Sequence, residues 1–269
     1  MNLPDTPQLE GRLEWAVNVA RQAGEQTLGL YRAGELGLER KADGSPVTRA
    51  DREAETLLRE LIGQRFPEDG ILGEEFPEKS GTSGYQWILD PIDGTKSFVA
   101  GVPLYTTLVA VMRDNEPQIG VIFAPAAGEL VFAERGQGCW HTIDGGPPRR
   151  AQVSDVAELK DALFVTTSVK AFTTGRARDA RRVYDQLQSA CRITRTWGDA
   201  FGYLLVATGR AEVMIDPVMN LWDTAALQPV IEEAGGEFFD WQGAPTVHSG
   251  ESVATNSALA RQVLKIISG

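Results

Sequence analysis

The chain has 269 residues, 42% of them hydrophobic, which suits a packed core of one large domain or two small lobes and excludes a disordered chain. Its formal net charge of −11 makes nucleic acid and anionic membrane poor partners. Two distant cysteines, Cys139 and Cys191, imply no disulfide framework and read most simply as buried thiols of a reducing compartment, although the sequence leaves a pairing open. The N-terminal Met1-Asn2-Leu3-Pro4-Asp5 lacks the basic and apolar segments of a secretion signal. No apolar run approaches the roughly 18 residues needed to span a bilayer, so a soluble, cytoplasmic protein is expected. From Leu9 to Tyr31, apolar residues recur at helical spacing, and Thr48 to Arg65 repeats the pattern. The turn-rich Arg40-Lys41-Ala42-Asp43-Gly44-Ser45-Pro46 separates these two helices. Short apolar runs at Ile71-Leu72, Trp87 to Leu89, Leu108 to Met112, Ile119 to Phe123 and Leu130 to Ala133 read as strands, the last three as an antiparallel meander. Gly145-Gly146-Pro147-Pro148 is the candidate boundary between a lobe over 1–146 and a lobe over 147–269. Beyond it, strands at Ala162 to Thr166, Arg192 to Thr196, Ala211 to Ile215 and Ser252 to Thr255 alternate with helices at Ala177 to Ser189, Phe201 to Thr208, Leu221 to Ala234 and Ala258 to Ile267, which favours an α/β lobe.

The segment Trp87-Ile88-Leu89-Asp90-Pro91-Ile92-Asp93-Gly94-Thr95 carries the most chemistry. A buried strand runs into two carboxylates, with Asp90 at its end and Asp93 on the turn after it. Carboxylates so spaced converge on a hard cation. Gly94 permits close backbone approach, and the N–H groups of Gly94 and Thr95 open a short helix that suits an anion. The same residues equally describe a strand ending in an Asx-type turn. Two companions weigh against that simpler reading. Gly73-Glu74-Glu75 follows a short strand, where a lone Glu-Glu pair is more often a solvated edge. Trp222-Asp223-Thr224 opens a helix, where a lone Asp is more often an N-cap. Together the three segments supply the oxygens of a two-metal phosphoryl site. Neither His141 nor His248 has metal-ligand spacing.

Lys41, Asp51, Gly73-Glu74-Glu75, Asp90-Pro91-Ile92-Asp93-Gly94-Thr95 and Trp222-Asp223-Thr224-Ala225-Ala226 together resemble the inositol monophosphatase superfamily, in order and over nearly the whole chain. The resemblance implies an α/β fold, a layered αβαβα sandwich with an antiparallel N-terminal sheet and a smaller mixed C-terminal sheet. It implies a Mg²⁺-dependent phosphatase of small phosphorylated metabolites with two or three ions. Glu74, Asp90 and the Ile92 carbonyl would hold the first, Asp90, Asp93 and Asp223 the second, and Glu74 with waters a weaker third. Asp51 and Thr95 would activate water, Gly94 and Thr95 would bind phosphate, and Lys41 and Glu75 would support the site. It also implies a homodimer. Such cations reconcile an acidic protein with an anionic substrate, because carboxylates recruit metal and metal recruits phosphate.

Within the superfamily, Gly198-Asp199-Ala200-Phe201-Gly202-Tyr203, with Asp216-Pro217 before Trp222-Asp223, is similar to the histidinol-phosphate phosphatases of histidine biosynthesis. Asp199 and Asp216 would face a substrate bearing an ammonium and an imidazole, with Gly198 and Ala200 beside them. Each Asp also reads as a helix cap or a turn starter. Trp197, Phe201 and Tyr203 either stack on a ring or pack. Inositol 1-phosphate and 3′-phosphoadenosine 5′-phosphate are the alternative substrates, the latter needing a basic pocket from Lys170, Arg176 or Arg195. A non-catalytic metal-binding regulator is the reading from another class.

Overall fold

The computed structural model describes residues 11–32, 36–41, 44–174 and 180–269. Expectations placed on Met1 to Asp5, Leu9, Ala42, Asp43, Arg176 and Ala177 fall outside them.

Helix α1 (Arg12–Leu28) buries Leu13, Ala16, Val17, Ala20 and Ala23 along one face, as the apolar spacing requires. A short hairpin, β1 (Glu39–Arg40) against β2 (Pro46–Val47), then leads into α2 (Arg49–Arg65). Thr48 caps α2 by accepting from the Ala50 N–H, and Asp51 in the first turn accepts from the Thr48 N–H, a capping box.

A seven-stranded sheet follows, its strands side by side in chain order. They are β3 (Gly70–Gly73), β4 (Tyr85–Asp93), β5 (Thr106–Arg113), β6 (Glu116–Ala124), β7 (Glu129–Glu134), β8 (Gly138–Ile143) and β9 (Arg149–Arg150), with helix α3 (Thr95–Val99) between β4 and β5. Neighbours are antiparallel from β4 onward, but β3 runs parallel to β4. The sheet is thus antiparallel as expected except at this edge strand, and the exception matters. The segment 74–84 carries the chain back to the start of β4, so both strands end on the same side and Glu74 emerges beside Asp90. Strand β4 also continues through Asp93 rather than stopping at Asp90. A register shift between Asp90 and Asp93 accommodates Pro91, which has no N–H to donate. Strand β9 lies past the Gly145–Pro148 segment, so the large sheet extends beyond the expected division at 146.

Side chains alternate across this sheet with period two. Val109, Val111, Val121 and Phe123 face α1 and α2, while Leu108, Ala110, Met112 and Ile122 face the opposite side. The second half builds on that opposite side. Its elements are β10 (Leu163–Val165), α4 (Ala171–Thr174), α5 (Ala180–Ala190), β11 (Ile193–Arg195), α6 (Ala200–Ala207), β12 (Val213–Asp216), α7 (Leu221–Thr224), α8 (Leu227–Glu233), β13 (Gly236–Phe239), β14 (Ser252–Asn256) and α9 (Ala260–Ser268). The expected helix over Leu221 to Ala234 is thus two helices. The five-stranded sheet has the order β11-β10-β12-β14-β13, its first three strands parallel and the rest antiparallel. Every residue of α6 is buried, because α6 and α8 lie between the two sheets. Helices α5 and α9 cover the outer face of the small sheet through Val183, Leu187, Val263 and Ile267. The layers therefore run αβαβα. Cys139 and Cys191 are buried free thiols. Among the described residues no helix is long and apolar enough to cross a membrane.

One ion pair ties the large sheet to the middle layer. Arg210, just after α6, reaches Glu129 of β7 with Nη1 at 3.0 Å and Nη2 at 2.6 Å, and His141 Nε2 lies 2.9 Å from the same carboxylate. Burial raises the Glu129 carboxyl, but His141 and Arg210 outweigh it and bring it down to about 2. An unfolded Glu titrates near ~4.3. A folded value below the unfolded one means that this stabilisation is complete above the unfolded value and is lost as pH falls through the folded one. Urea unfolding of Glu129→Gln should therefore show a smaller loss of stability than wild type between about pH 5 and about pH 2.5. Identical acid limbs for the two proteins would refute the assignment.

Candidate active site

The bulged end of β4, the start of α3, the start of α6, the end of β12 and the short α7 converge on a cleft of about 660 Å³. Asp90, Asp93 and Asp223 meet there, each offering a carboxylate oxygen within 4.8 Å of the others. Glu74, Gly94, Thr95, Asp199 and Asp216 line the same cleft.

Hydrogen-bond donors aim several carboxylates in and beside this cleft. Asp51 Oδ2 accepts from the Thr48 N–H at 2.8 Å and its hydroxyl at 2.5 Å. Asp223 Oδ2 accepts from Asn220 N at 2.6 Å and Nδ2 at 3.2 Å. Asn220 is thus the N-cap of α7 and Asp223 its capping-box partner, not the cap itself. Asp93 Oδ2 accepts from Thr106 Oγ1 at 3.0 Å and from the Ala200 N–H. Asp90 differs, because its buried Oδ1 has no hydrogen-bond partner.

Burial first, and then mutual repulsion, pushes these groups toward protonation. Asp90 is raised well above its ordinary range by burial and by Glu74, Asp93 and Asp223. Asp93 is raised likewise by burial, Asp199 and Asp223, against the Ala200 and Thr106 hydrogen bonds. Asp223 rises to about 6 through burial, with Glu74 adding to it against the Asn220 bonds. Such a set needs protons or a cation to offset its charge. An orphaned buried oxygen and an all-oxygen donor set fit a hard divalent cation.

Lys41 donates to Glu74 Oε1 and Glu75 Oε1, both at 2.7 Å. Burial lowers the ammonium, but the two carboxylates carry it up to about 12. Glu75 rises to about 7 by burial, against the pull of Lys41. Buried Glu55, which carries no sequence motif, accepts from Glu75 N at 2.7 Å and from Arg59 Nε at 2.7 Å, holding this corner in place. Thr95 Oγ1 donates to Asp51 Oδ1 at 3.3 Å and to the Ile92 carbonyl at 3.2 Å. Gly94, at φ 84°, is required twice over, since a Cβ there would also lie 2.8 Å from Asp199 Oδ2.

The residues expected around a substrate separate into two groups. Asp199 and Asp216 line the cleft, whereas Gly198 and Ala200 are buried and do not. Asp199 occupies the N-cap position of α6 but makes no side-chain cap bond. Its carboxyl rises to about 6 through burial, against Lys96. Asp216, at the end of β12, is only 4% exposed and rises to about 7, chiefly by burial. Phe201 and Tyr203 pack in the core, while Trp197 is exposed. Lys170 lines the cleft, whereas Arg195 does not and stands 5.9 Å from the Trp197 ring. The lining also includes Thr167, Ser168, Val218 and Met219, from segments whose sequence carries no motif. Neither His141 nor His248 lines the cleft.

The Inositol monophosphatase family profile matches residues 8–268. A histidinol-phosphatase of Chlorobaculum parvum is 42% identical over 256 residues, covering 95% of this chain and 96% of that protein. A histidinol-phosphatase of Mycobacterium tuberculosis is 40% identical over 249 residues, covering 93% and 95% respectively. Among solved structures, the Thermotoga maritima IMPase superposes with a TM-score of 0.84 at 28% identity, covering 96% of each chain. With the layered fold, the acidic cleft and a match over nearly its full length, the chain belongs to the inositol monophosphatase family.

Proposed function

We propose that the protein is a Mg²⁺-dependent phosphomonoesterase that hydrolyses L-histidinol phosphate to L-histidinol and phosphate. The observation that carries the phosphatase reading is the meeting of Asp90, Asp93 and Asp223, with Asp90 Oδ1 buried and unpartnered among the described residues. Asp90, Asp93 and Asp223, with Glu74 and the Ile92 carbonyl, would hold two or three Mg²⁺ ions. Bound there, the cations offset charge on the entering and leaving oxygens and lower the pKa of water.

The chain's own residues supply the rest. Backbone donors of Gly94 and Thr95, on the turn that lines the cleft, take phosphate oxygens. Thr95 Oγ1 accepts a proton from the attacking water as its own proton passes to Asp51 Oδ1, along the existing hydrogen bond. The Thr48 bonds to Oδ2 keep Asp51 turned toward Thr95. Lys41 and Glu75 brace Glu74. We assign metal and phosphate binding to residues 1–146, and completion of the metal site with substrate choice to residues 147–269. A water-activating pair set against a metal cluster favours an enzyme over a metal-binding regulator. A cytoplasmic homodimer is the form we propose for it.

Substrate choice rests on Asp199, whose carboxylate is turned toward Gly94 where an ammonium-bearing alcohol would extend from the phosphate. The names of the 42% and 40% identical relatives support the same choice. Purified protein with Mg²⁺ should release phosphate from histidinol phosphate with a higher kcat/KM than from inositol 1-phosphate or 3′-phosphoadenosine 5′-phosphate, and chelator should stop it. Faster turnover of inositol 1-phosphate overturns the substrate, and no release from any of the three overturns the activity.

Asp93→Asn should lower kcat by about 100-fold or more, since outer partners of a metal site alone are worth 10–100-fold. Circular dichroism should show an intact fold, and near wild-type turnover at saturating Mg²⁺ would remove Asp93 from the site. Asp199→Asn keeps a residue type tolerant of positive φ. It should raise KM for histidinol phosphate about tenfold while leaving KM for inositol 1-phosphate within about twofold. Equal effects on both substrates would show that Asp199 does not recognise the cation.

A further inference from the structure

Residues 198–200 form a corner whose backbone hydrogen-bonds to the acidic cluster. The Ala200 N–H donates to Asp93 Oδ2. Asp199 holds φ 49° and ψ −161°, a region that residues other than glycine rarely occupy. Such a conformation persists only where its surroundings impose it.

Thr167 imposes it from the loop just beyond β10. Its Oγ1 accepts from the Asp199 N–H at 2.8 Å and donates to Asp216 Oδ2 at 2.8 Å. Its own N–H donates to Asp216 Oδ1 at 2.9 Å. Thr166 Oγ1 adds a bond to Asp216 Oδ1 at 3.2 Å, and Tyr203 approaches Oδ2 at 3.5 Å. Asp216 is therefore a buried anchor whose two oxygens are both engaged by Thr167. Gly198 makes the approach possible, since a Cβ there would sit 2.1 Å from Thr167 Cα. A continuous chain of contacts results, from Asp216 through the Thr167 hydroxyl to the Asp199 amide, around the strained corner to the Ala200 amide and on to Asp93.

We propose that Thr167 is a positioning residue, whose hydroxyl fixes the Asp199–Ala200 corner so that the Ala200 amide holds Asp93 in its cation-binding orientation. The inference rests on the reading that Asp93 holds a divalent cation. It gives Gly198 and Ala200 a role in building the site and reassigns Asp216 from substrate contact to anchor. A hydroxyl is needed because it must accept from one neighbour while donating to the other, which an isosteric valine cannot do.

Isothermal titration of Mg²⁺ into the whole protein, without substrate, tests this directly. Thr167→Val should weaken Mg²⁺ binding about tenfold, as loss of an outer partner of a metal site does. It should raise by a similar factor the Mg²⁺ needed for half-maximal phosphate release, lowering kcat while KM changes less than about twofold. Thr167→Ser, which retains both hydrogen-bonding functions, should stay within about twofold of wild type. Thr167→Ala covers the case in which the valine variant does not fold, and it should match the valine expectation. Unchanged Mg²⁺ binding in the valine or alanine variant overturns the proposal, even if thermal stability falls. Equal weakening by serine and alanine also overturns it, because the methyl would then be what matters. Wild-type protein that binds Mg²⁺ but releases no phosphate would sink the proposed function and leave this inference intact. Normal turnover with Mg²⁺ binding insensitive to Thr167 would do the reverse.

Discussion

Repulsion among carboxylates drawn together in a partly buried cleft is the constraint that shapes this site. Asp90, Asp93 and Asp223 lie close enough for each to raise the proton affinity of another, with Glu74 adding to the field at Asp90. Left to itself, such a group spreads apart or takes up protons. The fold prevents the first by fixing each member to a different piece of backbone. Asp90 and Asp93 stand on either side of a bulge in a central strand, and Asp223 stands on the first turn of a short helix. What remains is to offset the charge, and an all-oxygen cluster does so most effectively with a hard divalent cation.

The way each side chain is aimed follows one economy of donors. A carboxylate can accept on both oxygens, but one that does so has little left for a ligand. Asp51 and Asp223 both serve as the first-turn acid of a capping box, so bonds that helix starts need anyway also orient the site. Asp93 receives its two donors from different halves of the chain, Thr106 from β5 and Ala200 from α6. The donors found on Asp93 and Asp223 fall on Oδ2, and none is found on the other oxygen of either. Asp216 shows the opposite pattern, with both oxygens occupied. On the proposed function, that contrast separates the carboxylates of the metal cluster from one that holds structure, though the residue type is the same.

Much of this was legible in the sequence, and the limits are physical. Period-two and helical patterns located nearly all the long elements, because those elements bury one face each. The short strands β8 and β13 were missed, since Gly138 to Ile143 and Gly236 to Phe239 are too brief and too mixed to show a period. The stop placed at Asp90 was wrong because a proline in a strand usually ends it, whereas here a bulge absorbs it. The order Asp90, Asp93, Gly94, Thr95 announced a site because close spacing on one turn is local information. Glu55 and Thr167 could not be announced in that way. Each acts on a segment far away in sequence, and Thr166-Thr167-Ser168 has nothing to distinguish it from any polar loop. The one available signal was Gly198, since a glycine before an Asp–helix start marks a close backbone approach as readily as a ligand contact.

On the proposed function, the placement of Asp199 links metal binding to substrate choice. Its backbone lies in the chain of contacts that ends at Asp93, while its carboxylate faces the cleft beside Gly94. Any movement of the corner that re-aims this carboxylate also shifts the Ala200 amide, and with it Asp93. Asp216 lines the same cleft, but both of its oxygens already accept hydrogen bonds from Thr166 and Thr167. On the proposed function, the Asp199 carboxylate faces the cationic group of the substrate from a backbone that also carries the contact to Asp93. A substitution at 199 that preserves the backbone separates the two functions, whereas one that relaxes the positive φ disturbs both.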